Sequence, residues 1–364
     1  MPAYEEPLPD LDLTGDLTEL LRALVDLESV SGDERRITDT IEAALRPLDH
    51  LELLRDGDVL VARTQLGRAE RVVLAGHTDT VPIAGNVPST VTGEGDGRVV
   101  HGRGACDMKG GVAVQLAVAA ALPEPTRDLT FIFYDHEEVE ASLNGLARIG
   151  RERPDLLEAT LAVLLEPTNA RVEGGCQGTM RAEVTLTGVA AHSARSWMGR
   201  NAVHAAGPLL ERLAVHTPAQ VEVEGLVYRE GLNAVRITGG IAGNVIPDRC
   251  VVEVNYRFAP DKDDAQAEAY VREVLDGFDV RITDVATGAR PGLDRPVAAD
   301  FLAAVGGEAH PKFGWTDVAR FSALGVPAVN FGPGNPSKAH ADDEFCPTAD
   351  LHTCADALLR WLST

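Results

Sequence analysis

Apolar residues recur at helical spacing from Asp16 to Leu48, then give way to short apolar runs separated by helical stretches as far as Glu166, the alternation of an α/β layer fold. These runs predict strands over 71–75, 129–134 and 160–165, with a helix over 109–122 between the first two and a further strand over 328–331. The middle of the chain changes character. Segments 180–187 and 248–258 alternate apolar with polar residues, as antiparallel strands with one buried face do. Around them the pattern reads strand, helix (201–216), two strands, helix (262–275), strand (279–283), an order that fits a small α+β sandwich with helices on one face. The expected organisation is therefore a discontinuous α/β domain, 1–176 and 288–364, with a mixed sheet flanked by helices and an α+β insertion at 177–287.

Composition narrows the class. A length of 364 residues suits about two domains, and 45% hydrophobic content is enough for packed cores, so a disordered or collagen-like chain is excluded. The 33 Lys and Arg against 56 Asp and Glu leave a formal charge of −23, which argues against nucleic acid or an anionic membrane surface as partner. No apolar stretch reaches the roughly 18 residues of a membrane span. The opening MPAYEEPLPD lacks the basic and apolar regions of a secretion signal, so the cytoplasm is expected. Cys106, Cys176, Cys250, Cys346 and Cys354 are scattered without a C-x-x-C pair, which points to small buried residues rather than a disulfide framework or a cysteine zinc site.

Open α/β sheets present ligands at the carboxyl ends of their strands, so the residues just past each apolar run carry information. The run 71–75 leads into Gly76-His77-Thr78-Asp79, and a Gly-rich turn ending in Asp107 leads into the helix at Lys109. The run 129–134 leads into Asp135-His136-Glu137-Glu138, 160–165 into Glu166-Pro167, and 328–331 into Gly332-Pro333-Gly334 and then His340. Taken singly, each has a plain alternative: Asp107 as a helix N-cap, Glu137-Glu138 as an exposed turn, Glu166 and His340 as loop residues. Taken together, histidines and carboxylates at one sheet edge repel and desolvate one another unless cations lie among them. Imidazole and carboxylate without thiolate suit Zn²⁺, with Mn²⁺ and Co²⁺ as neighbours. The number of ligands exceeds what one tetrahedral ion with an open position needs and suits a dinuclear site with a bridging carboxylate and a shared water. Asp79, two positions after His77, can accept the spare ring N–H and fix the tautomer. Adjacent glutamates point in different directions, so one can bind metal while the other acts as general base toward the water. That chemistry is metal-assisted amide hydrolysis.

The set GHTDTVP (76–82), GRGACDMKGG (102–111), HEE (136–138), LLEPT (164–168), GVAAHSARSWMGRNAVH (188–204), GNVIPD (243–248) and GWTDVARF (314–321) resembles the dinuclear zinc amidohydrolases of the M20 peptidase family over nearly the whole chain. Within it, EGGCQGTMR (173–181), YREGLNAV (228–235) and NYRFAPD (255–261) resemble the actinobacterial desuccinylase branch, which cleaves N-succinyl-LL-2,6-diaminopimelate. The resemblance implies that His77 and Glu166 bind one divalent ion, Glu138 and His340 a second, and Asp107 bridges them, with Glu137 as the base and Asp79 as the partner of His77. It implies that the insertion is a ferredoxin-like dimerisation and lid domain in a homodimer. His192, by local sequence an ordinary loop residue, would then reach the partner subunit's site and steady the oxyanion. For an anionic acyl-amino-acid substrate, Arg257, Asn244 and Thr316 match family substrate contacts, and Asn335, Arg320 and Arg195 are further candidates. By local sequence Arg257 also reads as a surface ion pair within a strand, and Asn244 as a turn residue. Two departures stand out: His136 where the family commonly has Asp, and Gln177 where some relatives carry a substrate-binding Arg. The rival readings are another amidohydrolase of the same family, acting on acetylornithine or a dipeptide, and a metal-binding dimer without activity.

Overall fold

The computed structural model describes residues 7–364, which divide into two compact units. The first runs up to Gly174 and takes in Gly292–His310 and Arg320–Thr364; the second is Gly175–Pro291 with Pro311–Ala319.

The first unit is built on a mixed sheet. Neighbouring strands follow the order Glu52–Asp56, Val59–Arg63, Asp128–Tyr134, Arg71–His77, Leu161–Leu164, Ala328–Asn330 and Glu173–Gly174. Arg71–His77 is parallel to both Asp128–Tyr134 and Leu161–Leu164, and Ala328–Asn330 is parallel to Leu161–Leu164. Every residue of Asp128–Tyr134 and Leu161–Leu164 is buried, as strands covered on both faces require. The helices Leu17–Val25, Lys109–Ala121 and Thr348–Ser363 pack on one another over this sheet, and their leucines, valines and alanines join its core. Lys109–Ala121 lies so close that a Cβ at Gly111 would stand 2.2 Å from the Leu165 carbonyl oxygen. The helical pattern of 16–48 resolves into Leu17–Val25 and Arg35–Leu45, joined by an irregular segment that carries Ser31 and Glu34. The hairpin Glu52–Asp56 with Val59–Arg63 is an addition that the apolar pattern did not predict.

The second unit holds an antiparallel sheet in the order Gly231–Gly239, Arg249–Phe258, Gly178–Thr187, Asp279–Ala286. Its helices Gly207–Val215 and Asp264–Val274 share one core with the inward residues Met180, Ala182, Val184, Val252, Val254 and Tyr256. Chain order is thus the βαββαβ of a ferredoxin-like module, with an extra hairpin, Gln220–Val223 and Leu226–Arg229. The helix expected over 201–216 is shorter, beginning at Gly207 with Pro208 in its first turn and a 3₁₀ turn, His204–Ala206, before it. On the opposite face of the sheet Arg181, Glu183, Glu253, Asn255 and Arg257 border a cavity of about 610 Å³.

Candidate metal centre

His77 ends its strand, Asp135–Glu138 turns out of the end of the next, and Glu166 follows Leu161–Leu164, so hydrogen-bonded parallel neighbours deliver these side chains to one edge. Asp107 arrives from the turn before Lys109–Ala121, and His340 from the segment after Ala328–Asn330. Their separations are those of a single cluster. His77 Nε2 lies 3.1 Å from Asp107 Oδ1, while His340 Nε2 lies 3.4 Å from Asp107 Oδ2 and 2.9 Å from Glu138 Oε2. Each carboxylate oxygen of Asp107 therefore faces a different imidazole. Two sets of potential ligand atoms, His77 with Asp107 and Glu166, and Asp107 with Glu138 and His340, each lie within 4.8 Å of one another and share Asp107. His77, Glu137 and Glu138 form a third set.

The electrostatics of this cluster call for more positive charge. Burial alone would lower the pKa of His77, but hydrogen bonds to Asp107 and Asp79 carry it well above the ordinary imidazole value. Hydrogen bonds to Asp107 and Glu138 push His340 up to about 10. Burial would raise Asp107, yet its contacts with His340 and His77 hold it far below the usual carboxylate range. The carboxylates are thus drawing protons onto both rings. Divalent cations would supply that charge and free the imidazole nitrogens as ligands, and a donor set of nitrogen and oxygen fits zinc, manganese or cobalt.

The surroundings hold these groups in place. Asp79 is fully buried; His77 Nδ1 lies 3.0 Å from its main-chain oxygen and 3.4 Å from Oδ1. The Asp79 carboxylate also accepts the backbone N–H groups of Glu137 and Glu138, both at 3.0 Å, and the Ser31 hydroxyl at 2.6 Å. Asp79 thereby fixes the glutamate turn as well as the histidine. Asp107 is not an N-cap: the cap position of the following helix is Met108, which makes no side-chain capping bond. Instead, the Asp107 backbone N–H donates to buried Glu344 at 3.1 Å, together with that of Cys106 at 3.0 Å. Arg103 donates to the same carboxylate at 2.8 Å and to the Ala341 carbonyl at 3.1 Å, which ties the Asp107 turn to the His340 segment. Sequence reasoning missed Ser31, Glu34 and Glu344, and passed over Arg103 although it lies within the GRGACDMKGG stretch, because their partners are tens to hundreds of residues away. Lys109, 1% exposed, donates to the Leu27 carbonyl at 2.7 Å, and burial brings its pKa down to about 7 against the pull of Glu344 and Asp26. All five cysteines are buried free thiols.

The remaining candidates are distributed differently. His192, Asn244, Arg257 and Thr316 belong to the second unit. His192 pairs with Val245 across a short ladder, its Nδ1 accepts the Ala194 N–H at 3.1 Å, and Ser193 donates to the Asn244 carbonyl at 2.9 Å, so the two segments bearing His192 and Asn244 adjoin. Arg257 stands on the open face of the sheet, and burial with the nearby Arg181 charge lowers its pKa. Thr316 is buried. Gln177 is engaged in loop contacts, donating to the Arg229 carbonyl at 2.6 Å and accepting from Gly314 N–H at 3.3 Å. Asn335 spends its side-chain oxygen on Ser337 N–H and Oγ, both at 2.9 Å, as the cap of its own turn.

A family model described as Peptidase family M20/M25/M40 matches residues 73–364. The chain belongs to that family. Among its relatives, a protein of Mycobacterium tuberculosis named putative succinyl-diaminopimelate desuccinylase is 53% identical, over 97% of this chain and 99% of its own length. A succinyl-diaminopimelate desuccinylase of Corynebacterium glutamicum is 48% identical over 98% of each chain. A solved tripeptidase structure from Staphylococcus aureus covers 98% of this chain and 99% of its own with a TM-score of 0.78 at 20% identity, which establishes a shared fold. The M20/M25/M40 match takes in all of His77, Asp107, Glu138, Glu166 and His340. Among the described residues no helix is long and apolar enough to cross a membrane.

Proposed function

We propose that this M20-family chain hydrolyses the amide of N-succinyl-LL-2,6-diaminopimelate, releasing succinate and LL-2,6-diaminopimelate, as a cytoplasmic homodimer carrying two divalent ions per subunit, zinc in the first place. The observation that carries the metal assignment is Asp107, whose two oxygens face two different imidazoles. The substrate assignment is supported by the near full-length similarity to proteins named desuccinylases.

His77 and Glu166 would hold one ion, Glu138 and His340 the other, and Asp107 both. When bound, such a pair supplies Lewis acidity toward a carbonyl oxygen and makes water more acidic. Glu137 takes the proton of the attacking water on its carboxylate and returns it to the departing amine nitrogen, so that the C–N bond breaks with a neutral leaving group. Asp79 keeps that carboxylate in place by holding the backbone on both sides of it. We assign to His192, contributed by the partner subunit, support of the developing oxyanion. To Arg257 we assign a bidentate grip on a substrate carboxylate, with Asn244, Thr316 and Asn335 as lesser contacts.

The test is metal analysis of the purified protein followed by a panel of acylated amino acids. Turnover of succinyl-diaminopimelate well above that of acetylornithine and dipeptides is expected. Comparable turnover of acetylornithine with none of the succinyl substrate would replace the substrate assignment by the rival amidohydrolase. No turnover of any of them by a metal-loaded dimer would favour the inactive reading.

A further inference from the structure

The turn that carries Glu137 has an unusual foundation. His136 adopts φ of 57°, in the left-handed region that a residue with a Cβ enters at a cost, so something must hold it there. This conformation is what lets the next two backbone N–H groups converge on Asp79. The support comes from a distant part of the chain. Glu34, whose residue is 0% exposed, accepts the His136 backbone N–H at 3.2 Å, and both of its oxygens accept Gly32 N–H at 2.9 Å. The His136 ring places Nδ1 2.8 Å from Asp135 Oδ2 and 3.5 Å from Glu34 Oε1, so one nitrogen serves two carboxylates. Asp135 is itself 3.4 Å from the Arg148 guanidinium. The same irregular segment that brings Glu34 also brings Ser31 to Asp79.

A buried carboxylate with no partner would be costly, and an imidazole pressed between two carboxylates is an arrangement that specifies one geometry. We propose that Glu34 and His136 form a positioning pair for Glu137: Glu34 grips the His136 backbone and faces its ring, the left-handed turn is thereby fixed, and the base is aimed by a residue roughly a hundred positions upstream. Neither touches substrate. The assignment rests on the hydrolytic reading of Glu137 given above, and deepens it by giving His136 a specific task.

Three variants test it: Glu34→Gln, His136→Asn, which tolerates the left-handed backbone but lacks the ring, and the double substitution. Each should keep the native metal content and fold, and lower kcat by about 10-fold while KM moves by less than about 2-fold, because aim is lost and not affinity. Since both residues act by fixing the same turn, the double variant should lose about 10-fold as well, not about 100-fold. Backbone amide exchange in the peptide covering 135–138 should be faster in Glu34→Gln than in the unsubstituted protein, a readout independent of turnover. Multiplicative losses, or unchanged kcat and unchanged exchange in folded, metal-loaded Glu34→Gln, would overturn the pairing. Kinetics are compared as ratios to the unsubstituted enzyme on whichever acylated amino acid it cleaves. Inactivity of the parent toward the succinyl substrate thus counts against the substrate assignment alone, while the exchange result still decides the pairing.

Discussion

In the first unit the chemistry-bearing side chains stand at the carboxyl ends of buried parallel strands and touch one another; in the second they sit on short loops and on the open face of an antiparallel sheet. Within the cluster His77 and Asp79 are 1% and 0% exposed and His340 stands at its exposed rim, whereas His192 and Asn244 are both exposed. The contrast has a physical root. Charges taken out of water must be balanced nearby, so a buried cluster fixes its own geometry through hydrogen bonds such as those of Asp79 and Glu344. Exposed groups that face no such buried partner are balanced by solvent and acquire a definite arrangement when a ligand or another chain supplies one. The metal centre should therefore respond to substitution through metal content and kcat, and the second unit through KM and assembly.

The largest effect should come from the shared carboxylate. Asp107→Ala should lower bound metal by more than one of about two equivalents per chain and abolish measurable turnover, whereas Glu166→Gln should lose about one equivalent. Elemental analysis decides, and an Asp107 variant that keeps both ions would break the picture of one residue serving two sites. Removal of metal by a chelator should likewise abolish turnover, with recovery on adding zinc or cobalt.

Next comes the base. Glu137→Gln is isosteric and leaves both Asp79 contacts to the backbone available, so metal content should stay near native while kcat falls by on the order of 10²–10⁴. Unchanged turnover would remove Glu137 from proton transfer. In the second unit, Arg257→Ala should instead raise KM by about 10-fold to 100-fold with a smaller change in kcat, because a guanidinium that binds a carboxylate equally in ground and transition state affects binding alone. A pure kcat loss there would blur the distinction between the units. For the exposed histidine, subunits carrying His192→Ala mixed with subunits carrying Glu137→Ala should regain part of the lost activity through hybrid dimers; none would be regained if His192 served its own subunit.

These regions also differ in how readable they are from sequence. The strands that deliver the metal cluster were legible because fully buried parallel strands are short uninterrupted apolar runs: 71–75 corresponds to Arg71–His77 and 129–134 to Asp128–Tyr134. The clustering was legible because His77, Glu138, Glu166 and His340 each come after such a run, while Asp107 closes a Gly-rich turn ahead of the helix at Lys109. Glu344 and Glu34 were not, since an acidic residue in a polar stretch has the same local signature whether solvated or buried against backbone N–H groups. Only the tertiary fold brings Glu344 to Arg103, 241 positions away. Asp107 was ambiguous for a related reason: an aspartate ahead of a helix looks like a cap, and only the geometry turns it toward the histidines.

The smallest expected effect on catalysis is also the sharpest separation of the units. Buried Glu230 accepts the Tyr256 hydroxyl, the Ala259 N–H and the Lys262 ammonium, all at 2.9 Å, and so joins the hairpin Leu226–Arg229 to the end of the strand Arg249–Phe258. Glu230→Gln removes the charge that Lys262 pairs with and leaves only one acceptor oxygen for three donors, which should cost roughly 2 kcal/mol of stability, visible as a lower denaturant midpoint. Fully folded, metal-loaded Glu230→Gln should turn over within about 2-fold of the parent, since none of these contacts reaches a group assigned to the chemistry. A kcat loss larger than that, at unchanged stability, would mean that the interior of the antiparallel unit sets the geometry of catalysis as tightly as the buried cluster does.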